Sequence, residues 1–265
     1  MYIIVFIKTI QQINHCETKS TFFIYLLTKI HFINNKTSHL NTFIIHYTKL
    51  SERKAVTDKL FKDKYFKLEY ITKYDQEDLV TINLDDFYLD DKSMYLKKSK
   101  LWSQDNAYRR LNDAEISCTL KHFEAIKKSS ESSQEVSLII EDDVLTFSKF
   151  FISKIKKVLS LDSEWDLLFI GQGISKNFIL KNINKKGRLR SKLYDVQHPA
   201  TNCAESYFIK KDAAKKIFES MLPFNMISDW ELAFQIYDLD LKVKWLYPPI
   251  FYQGSKSGKY KSELR

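Results

Sequence analysis

The chain has 265 residues, 44% hydrophobic and 28% charged, with only 5 glycines and 4 prolines. That composition excludes a collagen-like or largely disordered chain and leaves room for one large domain, or two small ones, with a sizeable core. The net charge of +9 suits an anionic partner such as a nucleic acid, a membrane surface or a phosphorylated small molecule. The lysines are spread along the chain without an arginine cluster or a nucleic-acid module, so no specific nucleic-acid partner is expected.

Residues 1–40 are the hardest to interpret. Phe23, Leu26, Leu27, Ile30 and Ile33 fall on one face at helical spacing, which favours an extra helix packed on the domain. Two other readings stand beside it: a helix in peripheral contact with a membrane, and an upstream extension without fixed structure. No stretch reaches the ~18 apolar residues of a membrane-spanning helix. The opening M-Y-I-I-V-F-I-K has no basic region before its apolar one, so a secretory signal is not expected. Cys16, Cys118 and Cys203 are odd in number, widely separated and form no C-x-x-C, so neither a disulfide framework nor a zinc site is expected and a reducing compartment fits. The expectation is a cytoplasmic protein, with membrane association open through residues 1–40.

The domain proper is expected over residues 41–265. Thr42–Tyr47 reads as a strand. K-L-S-E-R-K follows, with Ser51 as a candidate helix cap and Glu52 in the first turn. Arg53 then stands near a strand-to-helix junction, where a phosphate can be met; a solvent-facing arginine is an equally good reading. Phe66–Thr72 alternates and reads as a second strand. Residues 75–110 are polar and read as a long loop with short elements. A helix is expected over Asp113–Ser129, with Glu115, Cys118, Thr119 and His122 on one face. A face holding both Glu and His is either a satisfied piece of core or the polar lining of a cleft.

Val136–Val144, V-S-L-I-I-E-D-D-V, is the stretch that organises the rest. Its apolar run reads as a strand buried on both faces, as inside a parallel sheet. It ends in Glu141, Asp142 and Asp143. Ligands of open α/β sheets bind beyond the carboxyl ends of the strands. Three adjacent carboxylates repel one another unless a cation shares the site, and hard divalent cations take oxygen ligands. The pattern reads either as a metal–diphosphate site or as a solvated acidic turn.

Beyond it, Ser148–Ser160 reads as an amphipathic helix and Trp165–Gly171 as another buried strand. Residues 175–192 read as a basic, exposed excursion, 198–209 as a segment ending in a strand, and Lys210–Met221 as a helix. Ser228 or Asp229 caps the next helix, with Leu232, Ile236 and Leu239 as its core stripe and Glu231, Gln235 and Asp238 as its polar face. The helix dipole favours ionised Asp229 and Glu231 in that first turn, which accounts for them structurally and also suits a base. Leu241–Tyr247 is the last strand before Pro248-Pro249. The Gly/Ser/Lys tail after it can close over a phosphate. Strands alternating with helices argue for an α/β fold with a mostly parallel sheet.

L-N-D-A-E-I-S-C-T-L-K-H followed by L-I-I-E-D-D-V resembles the signature of glycosyltransferase family 25. N-T-F-I-I-H-Y-T-K-L-S-E-R-K, A-E-S-Y-F-I-K-K-D-A-A-K-K-I-F and D-W-E-L with Y-P-P-I-F-Y-Q-G-S are similar to its other segments in order and spacing. The resemblance covers roughly residues 41–265, with gaps at 75–110 and 175–195. It implies a GT-A fold, Rossmann-like, with a mostly parallel sheet flanked by helices. It also implies Mn²⁺ or Mg²⁺ at Asp143 and Glu141, and donor contacts from Arg53, His122, Glu141, Asp142 and Gln253. Asp229 is the first choice of base and Glu231 the second. The chain departs from the family pattern at Ser117, where Gly is usual, and Lys121, where Ser is usual.

The implied activity is inverting, metal-dependent transfer of a sugar, galactose being one candidate, from a UDP-sugar donor to a glycan acceptor. A catalytically inactive GT-A-like module that binds nucleotides or glycans is the alternative. A Mg²⁺-dependent phosphoryl-transfer enzyme is disfavoured, because no Walker-type glycine loop is present.

Overall fold

The computed structural model describes residues 39–101, 108–146, 148–161, 164–172, 192–195 and 203–262. The expectations for residues 1–38, 173–191 and 196–202 lie outside the described residues.

The elements run β1 (Leu40–Ile45), α1 (Ser51–Leu60), β2 (Phe66–Ile71), α2 (Lys92–Ser99), α3 (Asp113–Glu131), β3 (Val136–Glu141), β4 (Val144–Leu145), α4 (Phe151–Leu159), β5 (Leu167–Phe169), β6 (Lys192–Asp195), β7 (Ser206–Lys210), α5 (Lys211–Ser220), α6 (Ser228–Asp238), β8 (Val243–Tyr247) and β9 (Tyr252–Gln253). The main sheet has the order β2-β1-β3-β7-β5-β8-β6. β1 pairs in parallel with β2 and β3, and β5 with β8. β7 runs antiparallel to β3 and β5, and β6 antiparallel to β8. Five strands therefore point one way and two the other, a mostly parallel α/β sheet of the expected kind.

β3 shows why this sheet needs a layer on each side. Ile139 packs with Phe123, Ile126, Ile217 and Ile236, from α3, α5 and α6. Leu138 and Ile140 pack with Phe61, Phe151 and Ile155 on the opposite face. All three β3 side chains are fully buried, so the strand has no solvent face and its apolar run is continuous rather than alternating. Each such side chain contributes roughly 1.5–3 kcal/mol by burial. Leu232 and Ile236 are buried and Leu239 packs against the same cluster, as the predicted stripe requires.

Three local expectations need correction. Ser51 is the first helical residue of α1, not its cap; the cap position is Leu50, and no side chain caps it. α6 likewise starts at Ser228 with Ile227 at its cap. The predicted polar face of α6 is not exposed, since Glu231 and Gln235 are buried. The polar stretch 75–110 contains α2, held at its start by Asp91, whose side chain accepts from the N–H groups of Ser93 and Met94. α3 begins with a capping box: Asn112 accepts from the Glu115 N–H, and Glu115 accepts from the Asn112 N–H. Among the described residues no helix is long and apolar enough to cross a membrane.

Candidate active site

Strand direction decides where the polar groups gather. β1, β3 and β5 finish on one rim, and antiparallel β7 begins there. His46 follows β1, Glu141 ends β3, and Cys203 to Glu205 lead into β7. A cavity of about 710 Å³ opens on this rim. It is lined by Glu141, Asp142 and Asp143, by Arg53 from α1, by Cys118 and Lys121 from α3, by Asp229 from α6, and by Gln253, Ser255 and Lys256. A second, smaller cavity of about 260 Å³ adjoins it through Arg109 and Ile227.

The three acids differ in how their oxygens are used. Asp142 is buried and fully engaged. Its Oδ2 is 2.7 Å from His46 Nδ1, and its Oδ1 accepts from Arg53 Nη1 at 3.1 Å. Arg53 also donates to the Lys261 carbonyl at 2.5 Å and lies over the Tyr260 ring. Glu141 is half-buried, with Oε2 accepting from Gln253 Nε2 at 3.0 Å and Oε1 3.4 Å from His122 Nε2. Asp143 accepts at Oδ2 from the Ser255 backbone N–H at 3.1 Å and from its hydroxyl at 2.5 Å. Its Oδ1 is buried without a hydrogen-bond partner. Burial, then the charge of Glu141, push the Asp143 carboxyl up to about 6.

Gly254 holds the tail against these acids. Its N–H donates to the Asp143 carbonyl at 2.8 Å, and a Cβ at this position would collide with the Tyr260 ring. Only glycine permits so close an approach.

Asp229 and Glu231 start the same helix but have different surroundings. Asp229 lines the main cavity and accepts from the Trp230 N–H at 2.9 Å. Burial, and then Glu141, push its carboxyl upward. Glu231 is outside the cavity lining. It is fully buried and takes both its oxygens to Lys98 Nζ, at 2.6 and 2.8 Å, with further contacts from Gln235 Nε2 and the Asn225 N–H. His122 is also absent from that lining; it is buried behind Glu141, with Nδ1 3.4 Å from the Tyr207 hydroxyl. Arg53, Glu141, Asp142, Asp143, Gln253 and Asp229 line the one cavity.

Several participants were not anticipated. His46 is one, although the strand-end rule that singled out Glu141 applies equally to the end of β1. Lys121 is buried against the His46 carbonyl, at 2.6 Å, and the Asp75 carboxylate. This long cation fills the place where a serine was expected and meets an acid from the polar stretch 75–110. Ser117 uses its extra hydroxyl to donate to the Tyr74 carbonyl at 2.6 Å. Lys256 Nζ lies 2.6 Å from Cys203 Sγ at the cavity wall.

The orphaned Asp143 Oδ1 and the half-buried Glu141 form an oxygen-rich donor set that fits a hard divalent cation. A buried carboxylate oxygen with no donor is costly unless something cationic or protonated meets it.

The mostly parallel α/β sheet ends an interior strand in acids that face a cavity shared with a helix-borne carboxylate, an arrangement in keeping with a GT-A fold. Residues 39–231 match the family described as Glycosyltransferase family 25 (LPS biosynthesis protein). The chain belongs to that family. A relative, Procollagen galactosyltransferase 1-B of Xenopus laevis, is 27% identical over 139 residues, covering 45% of this chain and 23% of that protein. The match thus spans less than a quarter of that relative's length. Among solved structures, the inositol-1-phosphate CTP transferase from T. maritima is similar at TM-score 0.42 and 10% identity, covering 86% of this chain and 94% of that one. The galactosyltransferase LgtC is similar at TM-score 0.39 and 9% identity, covering 78% and 73%. These two likenesses are too loose to bear on function.

Proposed function

We propose that the protein transfers a sugar from a UDP-sugar donor to a hydroxyl of a glycan acceptor, with inversion at the anomeric carbon and with Mn²⁺ or Mg²⁺ bound at the acidic rim. The observation that carries this reading is the unpartnered, buried Oδ1 of Asp143 on the same cavity as Asp229.

Asp143 and Glu141 would hold the cation, which when bound supplies charge to offset the diphosphate leaving group. Ser255 fixes Asp143 through two hydrogen bonds to one oxygen, leaving the other without a donor. Gln253 and His122 orient Glu141. Asp142 acts indirectly: it anchors Arg53 and His46, and so sets the cationic wall of the donor pocket. Lys256 adds positive charge to the cavity lining.

Inversion needs one base that takes the acceptor proton as the hydroxyl attacks from behind the leaving group. Asp229 is the residue for that step. Its raised affinity for protons, caused by burial and by Glu141, makes it a stronger base than an ordinary aspartate. Glu231 is not proposed for the role, because its oxygens are saturated by Lys98 and it stands outside the cavity lining. The galactosyltransferase name of the Xenopus relative makes galactose the first sugar to test.

Mass spectrometry of products from a panel of UDP-sugars and glycan acceptors tests the proposal. The expected result is an acceptor heavier by one sugar, with UDP released only when Mn²⁺ or Mg²⁺ is present. Folded protein that leaves every UDP-sugar intact would support the inactive binding module instead.

A further inference from the structure

The glycosyl-transfer scheme gives no role to the Cys118 thiol on the cavity wall. α3 carries Cys118 and His122 one turn apart, at i and i+4, on the face that meets the end of β3. Cys118 Sγ, His122 Nε2 and a Glu141 carboxylate oxygen all lie within 4.8 Å of one another. His122 Nε2 and Glu141 Oε1 are already 3.4 Å apart. Ligand atoms around a tetrahedral zinc ion, at about 2.0–2.3 Å from the metal, stand roughly 3.3–3.8 Å from each other. Small side-chain movements therefore close this set on one ion.

The surroundings favour a metal as well. Cys118 and Glu141 line the main cavity, so an ion has a way in. The far nitrogen of His122 faces the Tyr207 hydroxyl at 3.4 Å, and the far oxygen of Glu141 accepts from Gln253 at 3.0 Å. Outer partners of this kind orient metal ligands and hold the imidazole in one tautomer. Ser228 Oγ lies 3.9 Å from the thiol and adds a polar neighbour.

We propose that Cys118, His122 and Glu141 form a site for a thiolate-accepting divalent cation such as zinc, which shares Glu141 with the oxygen-lined position at Asp143 and competes with it. Three protein ligands leave a fourth position open to water or substrate. Sulfur and imidazole select zinc or cobalt over magnesium and manganese, which prefer oxygen. On binding, the Cys118 thiol loses its proton to solvent and a sulfur–metal bond forms, with no change of oxidation state. Thiolate and carboxylate balance the two positive charges of the ion. Glu141 then no longer serves the donor pocket, so zinc inhibits transfer. That last consequence rests on the proposed glycosyltransferase chemistry; the site itself does not.

Cobalt(II) titration of the purified full chain, followed by absorption spectroscopy, tests the site without any reference to turnover. The expected result is an intense thiolate-to-cobalt charge-transfer band that saturates near about one cobalt per chain and disappears when zinc is added. The band should vanish in Cys118→Ser and persist in Cys203→Ser. In His122→Gln the apparent cobalt affinity should fall by at least about tenfold, which also decides the matter if Cys118→Ser does not fold. No band, a band that survives Cys118→Ser, or unchanged affinity in His122→Gln overturns the proposal. A protein that shows the band but transfers no sugar keeps the metal site and loses the proposed function.

Discussion

Two acidic regions face each other near the rim, one at the end of β3 and one at the start of α6, and each divides its carboxylates in the same manner. In the first, Asp142 is consumed by His46 and Arg53 while Asp143 keeps a bare oxygen. In the second, Glu231 is consumed by Lys98 while Asp229 opens onto the cavity. A buried carboxylate matched by a cation is part of the framework, since removing either partner strands a charge. A buried carboxylate on the cavity wall near a second carboxylate holds its proton more tightly and is placed to meet a ligand. Neighbours in sequence thus separate into support and chemistry by their partners, and residue type does not tell them apart.

The largest test of this division is Asp229→Asn. If Asp229 is the base, turnover falls by about 10²–10⁴-fold while the melting temperature holds, measured by UDP release and calorimetry. Lys98→Met strikes the framework side instead. It leaves Glu231 buried and unpaired, and stability is expected to drop by about 3–5 kcal/mol in urea denaturation. The double variant Lys98→Met with Glu231→Leu should recover most of that loss, because no charge then remains in the core. If Lys98→Met is stable but inactive, the comparison is drawn in the wrong place. Ser255→Ala is a smaller perturbation, removing the hydroxyl hydrogen bond to Asp143 Oδ2 and keeping the backbone one; Mn²⁺ affinity should fall by about tenfold in a calorimetric titration.

The smallest effect is in pH. The folded pKa of Asp143 is raised to about 6 from the ordinary 3.8. Between those values the folded state keeps a proton that the unfolded chain has lost, so this group's contribution to stability weakens as pH rises through that window. Without metal, Asp143→Asn should therefore melt above the natural protein at neutral pH. That gap should close as pH falls from about 6 toward 4. A gap independent of pH would mean that Asp143 carries an ordinary carboxyl.

The order of elements was legible in the sequence because most of them are local. The run Leu138–Ile140 read as a strand buried on both faces, and the i, i+4, i+7 spacing of Leu232, Ile236 and Leu239 put Leu232 and Ile236 in the core. The strand-end rule brought Glu141, Asp142 and Asp143 to a rim, and the family resemblance placed Arg53, Gln253 and Asp229 with them. Long-range pairing was not legible. Lys98 and Glu231 are 133 residues apart, and nothing in either helix announces its partner. The same holds for His46 with Asp142 and for Lys121 with Asp75. The antiparallel direction of β7 also escapes local periodicity, because a buried strand reads alike in either direction. The stretch 75–110 looked like a loop because α2 is short and polar, and it is fixed by an Asp91 cap and by Lys98 rather than by an apolar face.

Calorimetry of UDP binding tests the central claim most directly. The account predicts that UDP binds the natural protein only with Mn²⁺ or Mg²⁺ present, and that Asp143→Asn abolishes this binding while leaving the fold intact. UDP binding of equal strength without metal, or undiminished in Asp143→Asn, would contradict it.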